Sequence, residues 1–242
     1  MSEKIKTLAF LVKKIPLGEK DENFVFFTKD FGRIEVLGRS IRKIDSKLRM
    51  QSELFNFLEI EFVQGRYQKI LTDVFLISSF SKTKKYLYKI KYLYLICEKI
   101  NDLIFGPEKD ERIFYLLKEV FEKIENSFVL KKICLYYLYF FWRFLFFLGW
   151  ATDFYHCGLC QRKFEKGDIF LIEKENRFFC EKCYKKNNEK KVYLFSKDLL
   201  KVLHLIFQMP DFLDKIYIRE ELIKKLFSFS EFYYLSLKRN QL

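Results

Sequence analysis

The chain has 242 residues, enough for one large domain or for two or three small ones. Half of its residues are hydrophobic, and lysine and arginine together exceed aspartate and glutamate by 13. This positive excess is spread along the chain, which excludes a basic tail as its source and favours nucleic acid or an acidic protein as the partner. The phosphate-binding loop, the GxSxG elbow and the HExxH motif do not occur, so we predict that the protein is not an enzyme.

The first 80 residues predict a β-rich domain. Apolar residues alternate or cluster in five short runs, and turn sequences with glycine or proline separate several of them. Five short strands in about 75 residues favour a small barrel or sandwich, and the OB-fold is the natural five-stranded choice. The predicted strands are Thr7–Ile15, Asn23–Thr28, Arg33–Leu37, Leu54–Val63 and Tyr67–Ile77.

The segment between the third and fourth strands is strongly basic, with five cations against the single acid Asp45. Cations on a loop at the mouth of a small barrel can neutralise backbone phosphates without reading the bases. The alternative is a solvated loop that only keeps a hydrophobic protein in solution. The candidate DNA contacts in this loop are Arg39, Arg42, Lys43, Lys47 and Arg49, and the sheet could extend the surface with Lys13, Lys14, Arg33, Arg66 and Lys69.

From Phe80 onward the apolar spacing becomes helical. The predicted apolar stripe of the first helix is Leu87, Ile90, Tyr94, Ile96 or Cys97 and Ile100, and that of the second is Ile113, Leu116, Leu117, Val120 and Ile124. The most apolar stretch, Ile133–Trp150, has Arg143 near its middle, where a charge would cost about 2.5–3.5 kcal/mol in a membrane. We therefore predict a buried helix here and no membrane contact. No signal peptide is visible, and we expect a cytoplasmic protein. The predicted helices cover Tyr86–Ile100, Asp110–Ile124, Ser127–Leu148, Lys197–Gln208 and Arg219–Phe227.

Four cysteines form two CxxC pairs that are separated by nineteen residues, which is the spacing of a four-thiolate zinc site. Because all four positions are cysteine, no coordination position is left for water, and we predict a structural role. Disulfides are the alternative, which a reducing compartment disfavours. The predicted ligands of one Zn²⁺ are Cys157, Cys160, Cys180 and Cys183, with His156 beside the site and with Cys97 and Cys134 as core thiols.

Three groups of segments follow one another in an order that a known family shares. Leu17–Asp21, Phe26–Thr28 and Phe31–Arg33 are similar to the opening pattern "GESD…LFT…G", although lysine replaces serine at position 20. Gly38–Arg49 is similar to a basic loop of the type "G-x-R…S-R-L", without a proline in the turn that follows Arg39. Arg143–Trp150, which leads into the first CxxC pair, is similar to a passage from a helix to a zinc element. In order and spacing these segments resemble the RecO family of bacterial recombination mediators.

The resemblance implies an α+β fold, in which an N-terminal five-stranded OB-fold barrel precedes a helical domain with an inserted four-cysteine zinc element. The expected boundaries are residues 1–80 for the barrel, 81–150 and 191–242 for the helical parts, and 151–190 for the zinc element. The basic-loop residues carry over as DNA contacts and the four cysteines as zinc ligands. The last helices match the family weakly.

The resemblance also implies a function and partners. It implies binding of single- and double-stranded DNA and annealing of complementary strands. Together with RecR, such a protein helps to load RecA on single strands that are coated by single-stranded-DNA-binding protein (SSB). The implied protein partners are RecR and the acidic C-terminal tail of SSB, and the implied location is the bacterial cytoplasm at the nucleoid.

Three other readings of the sequence stay open. One is a nuclease or RNA-modifying enzyme with an OB-fold and a zinc ribbon, although no acidic triad is evident. Another is a zinc-stabilised adaptor that binds acidic protein tails and does not anneal strands. A third is a transcription or translation factor with a zinc ribbon, which base-specific or structure-specific binding would favour.

Overall fold

The computed structural model describes residues 3–41, 48, 51–164, 169–172, 175, 177–187, 192–208, 213, 215 and 217–240. The chain divides into two compact units, Met1–Leu130 and Lys131–Leu242. Among the described residues, the first unit holds the β-rich region and three helices, and the second holds four helices and a small sheet. The finer boundaries expected at residues 80, 150 and 190 stay a prediction.

The N-terminal region is a closed five-stranded barrel, as predicted. Its strands are β1 (Lys4–Leu17), β2 (Asp21–Thr28), β3 (Gly32–Gly38), β4 (Phe57–Gln64) and β5 (Lys69–Ser78). They are hydrogen-bonded in the order β1-β2-β3-β5-β4, and β4 pairs back with β1. The pair β3–β5 is parallel and joins only two residue pairs, whereas the other pairs are antiparallel. This arrangement is the OB-fold.

Alternating apolar side chains fill the barrel. Phe24 and Phe26 from β2 and Ile60 and Phe62 from β4 are fully buried in it. Each such burial contributes about 1.5–3 kcal/mol, so the alternation holds the strand register as well as the fold.

Two predicted strands begin too early. The fourth starts at Phe57 rather than Leu54 because Phe55 has a positive φ of 71°, which interrupts the extended backbone. The fifth starts at Lys69 rather than Tyr67 because Gln68 closes a turn, in which its carbonyl accepts from the Gly65 N–H at 3.0 Å.

Gly32 opens β3 at a point where no other residue fits. Its φ is +62°, and an added Cβ would lie 2.0 Å from the backbone oxygen of Glu108. We expect Gly32→Ala to lower the free energy of unfolding by about 2–5 kcal/mol, through the left-handed backbone and the clash together. Gly18→Ala is the matched control because Gly18 has a φ of +59° and an added Cβ would meet no atom within 4 Å, so this change should cost only about 1–2 kcal/mol. Urea titration of both variants measures the difference, and equal losses would contradict the packing argument.

The described helices of the first unit are α1 (Ser81–Lys84), α2 (Leu87–Leu103) and α3 (Glu111–Asn126). The Asp110 carboxylate caps α3 by accepting from the N–H of Arg112 at 2.9 Å. The predicted apolar face of α3 is buried throughout. The predicted stripe of α2 is partly wrong, because Leu87 and Tyr94 are 85% and 55% exposed. Apolar residues lie on most sides of α2, so their spacing alone did not show which side is buried.

The second unit contains α4 (Leu130–Phe147), β6 (Ile169–Ile172), β7 (Arg177–Cys180), α5 (Glu181–Asn187), β8 (Val192–Phe195), α6 (Lys197–Gln208) and α7 (Glu220–Asn240). The three strands form an antiparallel sheet in the order β7-β6-β8. The sequence did not predict β8, and it ended the last helix at Phe227, thirteen residues before its end at Asn240.

Helix α4 is the centre of the second unit. Trp142 is fully buried, stacks on Phe229 of α7 at 5.7 Å and donates from its indole N–H to the Ser230 hydroxyl at 3.0 Å. The predicted buried helix is thus confirmed. Arg143 is half-buried with its guanidinium 5.1 Å from the Phe147 ring. Within the described ranges, no helix is long and apolar enough to cross a membrane.

Candidate metal centre and nucleic-acid interface

The four predicted zinc ligands come together. Their Sγ atoms lie within 4.8 Å of one another, and those of Cys160 and Cys180 are 3.9 Å apart. A tetrahedral zinc with Zn–S bonds of about 2.3 Å places its sulfurs ~3.8 Å apart, so the cluster can hold this ion with small adjustments. All six cysteines are free of disulfides.

Two local structures bring the sulfurs to one point. The first CxxC pair lies in a tight turn, in which the Gln161 N–H donates to the Cys157 carbonyl at 2.9 Å. The second pair lies where β7 passes into α5, with Cys180 at the end of the strand and Cys183 on the helix. Gly158 joins the two: its N–H donates to the Phe178 carbonyl at 2.8 Å, and a Cβ there would press on Arg177.

The surroundings of the sulfurs favour a bound cation. Burial alone would raise the pKa of the Cys157 thiol, but backbone N–H groups at Cys160, Cys180 and Leu159 bring it down to about 7. Burial, together with the neighbouring sulfurs, raises the pKa of Cys183 to about 12. Sulfurs this close can all ionise only if a positive ion balances them.

His156 lies beside the cysteine cluster, as expected. It is exposed, and its Nδ1 lies 2.9 Å from the Asp153 carboxylate. Cys97 and Cys134 are buried elsewhere, as predicted for core thiols.

The described cations of the barrel fall into two groups. Lys13, Arg39 and Arg66 are exposed and make no ion pair with any residue that the structure describes. The Arg66 guanidinium lies 5.3 Å from the ring of Tyr67, which is 86% exposed in the β4–β5 turn. Lys69 is half-buried at the start of β5. These side chains are available to a polyanion.

Lys14 and Arg33 are already engaged. The Lys14 ammonium donates to the Ser52 carbonyl at 3.0 Å and pairs with Glu22 at 3.2 Å. The Arg33 guanidinium pairs with Glu35 at 3.0 Å, and its side chain is only 16% exposed. Both remain predicted DNA contacts, although each would have to give up an existing partner. Four predicted contacts lie outside the described residues: Arg42, Lys43, Lys47 and Arg49.

Comparison with known families places the chain. The family models "Recombination protein O N terminal" and "Recombination protein O C terminal" match residues 1–80 and 86–237. The chain belongs to the RecO family. It therefore has a role in DNA repair and recombination.

Several curated proteins named DNA repair protein RecO are similar to this chain over most of its length. The DNA repair protein RecO of Thermodesulfovibrio yellowstonii is 26% identical over 233 residues, which cover 92% of this chain and 89% of the relative. The RecO of Dehalococcoides mccartyi is 27% identical over 180 residues, covering 74% and 69%. That of Caldicellulosiruptor bescii is 25% identical over 187 residues, covering 76% and 74%.

Sequence reasoning missed the cavities in the described part of the chain, of which two matter for the proposals below. One, of about 810 Å³, lies in the first unit and is lined by Lys13, Phe55 and Tyr94. The other, of about 440 Å³, lies in the second unit and is lined by Arg143 and aromatic side chains that include Phe207. The positive φ of Phe55 and the exposure of Tyr94 mark the first cavity, but neither can be predicted from the type of residue.

Proposed function

We propose that this RecO-family chain is a recombination mediator that binds single- and double-stranded DNA and anneals complementary strands. With RecR it would help to load RecA on SSB-coated single strands in the bacterial cytoplasm. The observation that carries the proposal is a closed OB-fold barrel, with exposed cations that pair with no described residue, in a chain that matches both halves of RecO. The residues that we assign to this role need no catalytic chemistry.

The mechanism is neutralisation of charge. Lys13, Arg39 and Arg66 offer cations that no described carboxylate occupies, and the basic loop adds further cations along the chain. When these cations bind the phosphates of two strands, they lower the mutual repulsion that keeps the strands apart. Complementary bases can then pair. Affinity is expected to depend steeply on salt and to be nearly independent of base sequence.

We assign one structural Zn²⁺ to the cysteine cluster. Cys157, Cys160, Cys180 and Cys183 would be its ligands, and four thiolates leave no position open for a substrate. When bound, the ion would supply the charge that lets the buried thiols ionise together. Its role in our proposal is to hold β7 and α5 against the CxxC turn.

The cavity lined by Arg143 is our candidate site for the SSB tail. Phe146, Phe154 and Phe207 supply apolar walls, and the Arg143 guanidinium is the cation available to a carboxylate. An acidic tail that ends in a hydrophobic residue matches this combination. Asp153 also lines the cavity, but it is paired with His156. We assign no surface to RecR.

Strand annealing is the direct test of the proposed function. Two complementary fluorescent oligonucleotides, bare or coated with SSB, would be mixed with the full chain at low and at high salt. We expect faster annealing of both, fading at high salt. DNA binding without annealing would contradict the mediator role, and SSB-tail binding without any DNA binding would favour the adaptor alternative.

A further inference from the structure

The cavity of about 810 Å³ in the first unit is bounded by β1, by the segment before β4 and by α2. It lies beside the exposed Lys13, and the basic loop leads along the chain into its wall, since Arg49 precedes Glu53 by four positions. Ligand pockets in proteins typically measure about 300–1,000 Å³, so this one is large enough for a nucleotide. Lys13 lines this cavity and is also one of the cations that we propose for DNA binding.

The aromatic ring of Tyr94 forms one wall of this cavity, and a contact with Phe55 fixes its orientation. Tyr94 is 55% exposed, although it lies on a helix with a buried apolar face. Its ring meets the buried Phe55 ring edge to face, with centroids 4.8 Å apart. Phe55 itself has a φ of +71°, a conformation that costs of order 1–3 kcal/mol for a bulky residue and that persists mainly where the surroundings enforce it. The Tyr94 ring is thus presented to the cavity in a fixed orientation.

The charges that line the cavity are balanced. The Lys84 ammonium pairs with Glu53 at 3.1 Å and donates to the Asn56 amide oxygen at 2.6 Å. Glu98 pairs with Lys99 at 3.2 Å. Because these charges balance, the cavity offers a phosphate little electrostatic attraction. A neutral nucleobase can instead stack on the aromatic wall and donate its N–H groups to the carboxylates beside it. Lys13 remains outside these pairs and can bind a phosphate next to the ring.

We propose that this cavity receives one unpaired nucleobase of bound single-stranded DNA, stacked on Tyr94, while Lys13 binds a neighbouring phosphate. The inference rests on the proposed DNA-binding function and adds to it a source of preference for single strands. A base inside a duplex is stacked on its neighbours and cannot enter the cavity.

The test uses the full chain with Tyr94→Leu, measured against a 20-nucleotide single strand and the same sequence as a duplex. We expect single-strand affinity to fall about 5- to 150-fold, which corresponds to ~1–3 kcal/mol for one stacked base, and duplex affinity to stay within about twofold. Tyr94→Phe keeps the ring and should keep the affinity. Tyr115→Leu is the control, because Tyr115 is 49% exposed in the same unit but does not line the cavity.

A second readout separates stacking from a change in fold. A single strand that contains 2-aminopurine should lose fluorescence when bound by the wild type and by Tyr94→Phe, and not when bound by Tyr94→Leu. If Tyr94→Leu keeps wild-type affinity for single strands, or loses both substrates equally, the base site is wrong even though DNA binding stands. If the wild type binds no DNA, the proposed function and this inference both fall.

Discussion

DNA binding by this protein should weaken about a thousandfold when the salt concentration rises from 50 to 200 mM. Ten cations were predicted as DNA contacts, and eight remain when the engaged Lys14 and Arg33 are set aside. Each phosphate contact on a single strand contributes about −0.7 to the slope of log affinity against log salt, so six to eight contacts give a slope of about −4 to −6. Fluorescence anisotropy of a labelled single strand at four salt concentrations measures this slope.

Arg39→Ala, Lys43→Ala and Lys47→Ala together should make that slope shallower by about 2, because each lost phosphate contact removes ~0.7. The matched control neutralises three lysines of the second unit that are paired with carboxylates, Lys185, Lys224 and Lys225. It changes the net charge by the same amount and should leave the slope almost unchanged. An equal effect of both triple variants would mean that net charge, and not the basic loop, sets the affinity. Circular dichroism must show that both variants are folded.

Removal of zinc should lower the unfolding temperature of the second unit by roughly 10–20 °C, the equivalent of about 3 kcal/mol for a unit of this size. The reason is that structural zinc sites supply folding free energy, and here the four sulfurs join the CxxC turn, β7 and α5. Chelation or Cys157→Ser should have this effect, with the first unit unchanged. Calorimetry gives the transition, and a colorimetric zinc assay gives the metal content.

Cys134→Ser is the control for the metal experiment. Cys134 is buried in α4 of the same unit but is not part of the cluster. This variant should keep one zinc per chain, so any loss of stability that it shows reports on the core alone. Unchanged thermal stability after verified removal of zinc would contradict a structural role for the ion.

The sequence was sufficient for those features that depend on local pattern. Two-residue alternation predicted the barrel strands, and the spacing of the cysteines predicted the cluster, because each CxxC pair brings two sulfurs together by itself. The start of β4 was missed because it depends on the positive φ of Phe55, which residue type does not reveal. Strand β8 was missed because its four residues are recognisable as a strand only through their pairing with β6.

It was harder to predict which cations are already paired with a carboxylate. The pair between Arg33 and Glu35 could have been foreseen, since residues two apart on a strand share a face. The pair between Lys14 and Glu22 depends on the register of β1 against β2, which includes a bulge after Leu11. Likewise, the exposure of Tyr94 depends on which side of α2 faces the core. Several sides of this helix are apolar enough to be buried.

The burial of Trp142 has a practical consequence for following this protein in solution. The chain contains two tryptophans, and both belong to the second unit. Emission from the indole rings should therefore shift to longer wavelength when the second unit opens, and should not respond to opening of the barrel. The barrel contains many phenylalanines, and Tyr67 in the β4–β5 turn, but no tryptophan. A denaturation curve followed by tryptophan emission thus reports on the second unit without any label.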